Sequence, residues 1–257
     1  MLIQEVESCL QAVGLNPRAV QCSKAAGGSN SNYLVHTSSG VYFLKIYKDV
    51  NVGRNEIYYI RQAVKYNLAP SVFYIDPDCR FIFLHYVVSD PQFACGVKFN
   101  KAYKALSSKL QAPRVQPDLL GIIKPYLDVS IDFNYDALYQ SIDYLQGSDL
   151  ELGWCHMDLH QGNLLFTASN CYIVDYEYSG FNYKIFDYLA VLDFNSELAD
   201  CFDDSYSDLD LHHAKVYYFL LNYVWFRKAS HNQRMLFYED KIQFYKLRFL
   251  NTVCSLI

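Results

Sequence analysis

The run His156-Met157-Asp158-Leu159-His160-Gln161-Gly162-Asn163 has the spacing His-x-Asp-x-x-x-x-Asn. After seven intervening residues, the apolar stretch Cys171-Tyr172-Ile173-Val174 ends on Asp175, with Glu177 just beyond. Transfer of a phosphoryl group from ATP to an alcohol needs little covalent help from a protein. It needs position and charge neutralisation. Asp158 is the candidate base, a carboxylate that takes the acceptor hydroxyl's proton. The amide oxygen of Asn163 and the carboxylate of Asp175 are hard oxygen ligands of the kind that hold Mg²⁺ against phosphates. The sequence therefore predicts a small-molecule kinase that uses ATP and Mg²⁺. The plainer alternative makes Asp158 and Asn163 turn formers and Asp175 a solvated strand end. His156 belongs with the catalytic loop as a brace, its ring hydrogen-bonding loop backbone. His160 faces either solvent or phosphate.

Such a loop must be delivered by strands. Leu152 to Cys155 is strand-like and leads into it, while Leu164 to Phe166 and Cys171 to Val174 bracket it as a hairpin. Upstream, Lys45 lies within Phe43-Leu44-Lys45-Ile46-Tyr47, and Glu56 lies on a helix expected over 54–66. That order lets Lys45 reach the α- and β-phosphates with Glu56 as its ion-pair partner. Taken alone, a mid-strand Lys more often faces solvent. The turn before the strand reads Ala25-Ala26-Gly27-Gly28-Ser29-Asn30-Ser31-Asn32. Gly28, Ser29 and Asn30 can offer backbone N–H groups to phosphate, since glycine permits close approach. The turn is neither Gly-x-Gly-x-x-Gly nor a P-loop, and as an isolated feature it is an ordinary turn.

The remaining elements arrange themselves around these. A short helix is expected over 5–13, hairpins over 33–47 and 72–86, and helices over 99–110, 135–145, 209–228 and 234–253. The first part is thus β-rich and the second mainly helical, an α+β chain with a crossing near Val87 to Pro91. At 257 residues and 52% hydrophobic, it can build one domain or two packed lobes. A net charge of −5 without a Lys/Arg cluster argues against nucleic acid. The eight cysteines are scattered, with no Cys-x-x-Cys and no metal-ligand spacing, which suits a reducing cytosol. No apolar run is long enough to insert into a bilayer, and Met1 to Glu7 does not read as a signal peptide.

These ordered motifs resemble the aminoglycoside phosphotransferase and choline kinase superfamily. The likeness runs from Ala26-Gly27-Gly28-Ser29-Asn30 through Lys45 and Glu56 to His156–Asn163 and Ile173 to Asp187. Asp175-Tyr176-Glu177-Tyr178, followed by Asn182-Tyr183 and Phe186-Asp187, is similar to choline and ethanolamine kinases in particular. The resemblance implies a two-lobed protein-kinase-like fold, with a nucleotide-binding lobe over 1–88 and a catalytic and substrate lobe over 89–257. It implies Asp158 as base, Asn163 and Asp175 as Mg²⁺ ligands, Lys45 and Glu56 as the nucleotide-lobe pair, and Tyr86 to Val88 as the adenine hinge. His-Met-Asp followed by His-x-Gly-Asn also resembles bacterial thiamine kinase. Met157 stands where protein kinases carry Arg, so control by an activation-loop phosphate is not expected.

The acceptor then implied is a cationic alcohol. A quaternary nitrogen wants aromatic faces and a nearby carboxylate, for which Glu177, Tyr178, Tyr183 and Trp225 are candidates. Trp225 serves equally well as core packing on an amphipathic helix. Choline or ethanolamine leads. Thiamine would want a longer stacking slot, and an aminoglycoside several carboxylates. The acidic run Asp193, Glu197, Asp200, Asp203 and Asp204 suits the latter, or is a solvated loop. A non-catalytic nucleotide-binding protein of the same fold is the alternative outside the enzymes.

Overall fold

The computed structural model describes residues 4–25, 30–127, 135–200, 202, 206–233 and 238–254. The chain groups into two compact units, Met1–Gln111 with His156–Gly180, and Ala112–Cys155 with Phe181–Ile257.

The first unit is built on a five-stranded antiparallel sheet. Its strands are β1 (Gln21–Lys24), β2 (Ser31–Thr37), β3 (Gly40–Ile46), β4 (Val72–Ile75) and β5 (Phe81–His85), in the spatial order β1-β2-β3-β5-β4. Alternation sets its faces. Tyr33 and Val35 of β2, Tyr42, Leu44 and Ile46 of β3, and Phe81 and Phe83 of β5 share one core cluster with Val6, Cys9 and Leu10. Those last three lie on helix α1 (Gln4–Ala12). Lys45 falls between Leu44 and Ile46 in sequence, so it projects to the opposite face, with Asn32 and Ile82 as its cross-strand neighbours.

Helix α2 (Val50–Lys65) follows β3 and starts at Asp49, whose carboxylate accepts from the Asn51 N–H at 2.8 Å. It begins four residues before the expected Arg54, because the Asp49 cap lies outside the apolar periodicity that marks the helix body. Gly53 lets α2 approach the β4–β5 turn: a Cβ there would lie 2.3 Å from the Cys79 carbonyl oxygen. Helix α3 (Gly96–Lys109) lies later in the same unit, where Lys98 donates to the Thr167 carbonyl at 2.8 Å.

The second unit is mainly helical. It holds α4 (Leu119–Ile123), α5 (Tyr135–Gly147), α6 (Ile185–Phe194), α7 (Ser196–Ala199), α8 (Asp208–Gln233) and α9 (Glu239–Cys254). Strand β6 (Leu152–Cys155) pairs with β9 (Gly180–Tyr183). Tyr217 on α8 donates to the Leu119 carbonyl at 2.9 Å, and Tyr144 on α5 donates to Asp210 at 2.9 Å. The α+β class, with a β-rich first part and a helical second part, is the expected one. Among the described residues no helix is long and apolar enough to cross a membrane.

Among these elements, α4, α6, α7, β1 and β9 escape the sequence reading, α4 and α7 being only five and four residues long. β1 is an edge strand whose residues are mostly exposed, so no alternation marks it. β9 is only four residues long. α6 buries Ile185, Phe186, Asp187, Leu189, Ala190 and Val191, nearly all round, so no polar stripe betrays its period.

Candidate active site

The loop of interest leaves β6 and enters a small hairpin of β7 (Leu164–Phe166) and β8 (Cys171–Ile173), with Leu164 opposite Ile173. Its turn is sharp. Met157 has φ 65°, in the left-handed region that side chains rarely adopt. His156 is fully buried beneath it, and its Nε2–H donates to the Val174 carbonyl at 3.0 Å. Burial pushes the His156 pKa down to about 4, so the ring is neutral near pH 7. A neutral, buried ring on a carbonyl braces the loop.

Asp158 is the polar tip of the loop. Asn163 donates Nδ2 to the Asp158 carbonyl oxygen at 2.9 Å and to Oδ2 at 3.2 Å. The Val174 N–H in turn donates to the Asn163 carbonyl at 3.0 Å, which ties Asn163 to the strand running into Asp175. Desolvation, then Asp175, then Glu177, hold the Asp158 pKa well above the ordinary carboxylate value. Its side chain nevertheless keeps 37% of its surface exposed, so an acceptor or water can reach the carboxylate. His160 lies 3.8 Å from Asp158 Oδ2 with an exposed ring, and its Nδ1 accepts from the Gly162 N–H at 3.0 Å.

Asp175 follows β8 at φ 69°, a second left-handed residue, and its carboxylate meets Lys45 Nζ at 2.6 Å. Lys45 is 4% exposed and also reaches Glu56 at 2.7 Å and Glu177 at 3.4 Å. Desolvation alone would lower the Lys45 pKa, but Glu56, Asp175 and Glu177 together outweigh it and lift the ammonium above its usual range. Burial pushes Glu56 up to about 7 against the opposing pull of Lys45. One cation thus faces three carboxylates, and oxygens of Glu56, Asp175 and Glu177 lie within 4.8 Å of one another. Such an excess of negative charge suits a divalent cation. With Asn163 Nδ2 given to Asp158, the polar atom that Asn163 retains is the oxygen, the type Mg²⁺ takes.

Of the phosphate-turn candidates, Gly28 and Ser29 lie outside the described residues. Asn30 is buried. Its Nδ2 donates to Glu177 Oε2 at 2.6 Å, and its Oδ1 accepts from the Lys48 N–H at 3.2 Å. Tyr86 and Val88 are exposed just past β5, and the Tyr86 N–H donates to the Val41 carbonyl at 3.0 Å.

The four residues considered for an acceptor site are dispersed in character. The Glu177 carboxylate is buried on Asn30 and Lys45, which sets it beside the lysine cluster. Tyr178 is exposed. Tyr183 is 1% exposed, with its hydroxyl accepting from Gln116 at 2.9 Å, so its ring is part of the second unit's core. Trp225 is half-buried, edge-on to Phe226 and Tyr238. Asn55, beside Glu56, was not singled out from sequence. It donates to the carbonyls of Glu177 and Ser179 at 3.1 and 3.0 Å. Both partners are main-chain oxygens, so no residue type signals the contact.

A five-stranded sheet whose Lys45 pairs with Glu56 on α2, followed by a loop and hairpin flanked by Asp158, Asn163 and Asp175, defines a kinase-like fold. Residues 106–219 match the phosphotransferase enzyme family. The choline kinase LicA of Streptococcus pneumoniae superposes with a TM-score of 0.78 at 16% identity, covering 98% of both chains. A choline/ethanolamine kinase family protein of Mesorhizobium loti gives 0.70 at 20% identity, over 97% of this chain and 94% of its own. An ethanolamine kinase of Plasmodium vivax gives 0.60 at 16%, over 98% and 84%. Among curated proteins none matches the sequence. The matched segment includes the loop bearing Asp158 and Asn163 and the hairpin after it, and the structural likenesses extend the shared fold over nearly the whole chain.

Proposed function

We propose that the protein is an ATP- and Mg²⁺-dependent kinase that phosphorylates the hydroxyl of a cationic alcohol, with choline or ethanolamine as the acceptor. The observation that carries this reading is the pairing of two local arrangements. Asn163 holds Asp158 at 3.2 Å, and Lys45 meets Glu56 at 2.7 Å and Asp175 at 2.6 Å.

In this reading Lys45 engages the α- and β-phosphates and Glu56 keeps its ammonium aimed. Asn163 and Asp175 would hold Mg²⁺, which when bound would neutralise the charge of the phosphates. Asp158 orients the acceptor hydroxyl and receives its proton. The bond from the acceptor oxygen to the γ-phosphorus forms as the bond to the β-phosphate oxygen breaks, releasing ADP. Its raised pKa makes Asp158 a stronger base than a solvated carboxylate. The backbone around Gly28, Ser29 and Asn30 covers the phosphates, and Tyr86 to Val88 receives adenine. The nucleotide then belongs to 1–88 and the acceptor to 89–257.

A net charge of −5 favours a cationic acceptor in a general way. Tyr178 and Trp225 remain the proposed aromatic faces, while the Tyr183 ring is taken up by the core. The choline and ethanolamine kinases among the structural neighbours support the same acceptor class, and LicA has been solved with AMP. The cytoplasm is the proposed compartment, in keeping with the free cysteines among the described residues. A coupled ADP-release screen over choline, ethanolamine, thiamine, homoserine and kanamycin tests this. Release with choline or ethanolamine supports the proposal. Release with thiamine or kanamycin alone reassigns the acceptor, and none with any, despite ATP binding, points to the binding-only alternative.

A further inference from the structure

The Lys45 cluster is held from a second direction that the phosphotransfer reading does not use. Asn55 immediately precedes Glu56 on α2. Successive helical side chains diverge by about 100°, so the two leave the helix on different bearings. Glu56 goes to Lys45 at 2.7 Å. Asn55 goes to the chain beyond Asp175, where its single Nδ2 donates to the Glu177 carbonyl at 3.1 Å and the Ser179 carbonyl at 3.0 Å. The clipped segment is a turn, closed by the Ser179 N–H donating to the Tyr176 carbonyl at 3.0 Å. Ser179 Oγ donates to the His156 carbonyl at 3.4 Å, which carries the connection to the loop bearing Asp158.

Asp175 stands directly before this turn in a left-handed conformation, φ 69°. A non-glycine residue there is strained and persists only when its flanks are fixed. Upstream, Asp175 is fixed by the β8 pairing and by the Val174 N–H on Asn163. Downstream, Asn55 supplies two of the bonds.

We propose that Asn55 is a positioning residue that couples α2 to the 176–179 turn, so that the Lys45–Glu56 pair and Asp175 keep one fixed mutual geometry. An α2 that cannot swing without breaking two hydrogen bonds to main-chain oxygens cannot withdraw Glu56 from Lys45 while Asp175 stays in place. The kinetic consequence rests on the proposed kinase reading. The coupling itself does not.

The test uses the full chain and three variants. Asn55→Leu removes the donor at similar volume. Asn55→Asp turns it into an acceptor facing two carbonyl oxygens. Asn55→Ser keeps one hydroxyl donor on a shorter arm. The first readout is hydrogen exchange at the Ser179 amide and along α2. Loss of two hydrogen bonds predicts roughly tenfold to thirtyfold faster exchange at Ser179 in Asn55→Leu. Asn55→Asp should exchange at least as fast, and Asn55→Ser should fall between Leu and wild type. The second readout is the dissociation constant of Mg²⁺ with a non-hydrolysable ATP analogue, set against the acceptor KM. The expected result is several-fold weaker nucleotide binding with the acceptor KM unmoved. Wild-type exchange at Ser179 together with wild-type nucleotide affinity in folded Asn55→Leu overturns the inference. If Asn55→Leu fails to fold, the Asn55→Ser comparison decides by the same two readouts. A wild-type protein without turnover on any acceptor sinks the kinase reading, yet leaves the exchange measurement able to decide the coupling.

Discussion

Replacing Lys45 with Met tests the charge balance of the site directly. Met has similar length and no charge. It leaves Glu56, 2% exposed, and Glu177, 7% exposed, without the ammonium they share. Removing one partner of a buried ion pair costs about 3–5 kcal/mol, because the remaining charge is stranded. Glu56 has a way to avoid that cost, which is to take a proton. With Lys45 present its pKa already stands at about 7, raised from 4.5 by burial. Without Lys45 it must climb further. A carboxylate whose folded pKa exceeds its unfolded value binds more protons when folded, so stability falls as pH rises between the two values. In the wild type that decline runs from 4.5 up to about 7 and then stops. In Lys45→Met it continues upward at about 1.4 kcal/mol per pH unit, which amounts to about 2 kcal/mol more by pH ~8.5 than at pH ~7. Urea unfolding of both proteins across that range measures it. The double variant Lys45→Met with Glu56→Gln, which has no proton to lose at Glu56, should restore a flat alkaline limb. Parallel profiles for Lys45→Met and wild type would refute the reasoning, since Glu56 would then not depend on Lys45.

Other consequences follow from the loop and the close approaches. Asp158→Asn should lower kcat by about 10²- to 10⁴-fold while changing nucleotide affinity less than about threefold, as measured by steady-state kinetics and calorimetry. His156 is held at about 4 against an ordinary 6.5. The unfolded chain therefore takes up that proton first, and stability falls as pH drops through this window, by about 3 kcal/mol in all. His156→Gln, which keeps a donor for the Val174 carbonyl, should lack that component, and acid-limb urea titrations compare the two. Gly53→Ala would place a Cβ 2.3 Å from the Cys79 backbone oxygen, and it should cost about 2 kcal/mol or more by thermal or urea unfolding.

Much of the site is legible in the sequence because its parts sit in short, ordered runs. Asp158 and Asn163 are five residues apart on one loop, and the structure joins them through the Asn163 amide. The strands around that loop are brief apolar runs bounded by polar turn residues, so their positions are readable from those boundaries. Lys45 and Glu56 are harder to join, since nothing in a mid-strand lysine says which face it takes. The β2–β3 register and the buried 2.7 Å pair settle it. Glu177 shows where legibility in the sequence ends. Beside aromatic residues it reads as a wall for a cation, yet its carboxylate points to Asn30 and Lys45, some 147 and 132 residues away along the chain. Tyr183 is similar, for its burial follows from the unrecognised β9, which it ends, and from α6, which begins two residues on. Asn55 was invisible for a different reason: its partners are carbonyl oxygens, which every residue carries.

The most direct measurement is phosphorus NMR of the protein incubated with ATP, Mg²⁺ and choline or ethanolamine. The account predicts a phosphomonoester appearing in step with ADP, and its loss in Asp158→Asn. Absence of any monoester from a folded, nucleotide-binding protein, or its undiminished formation by Asp158→Asn, would contradict it.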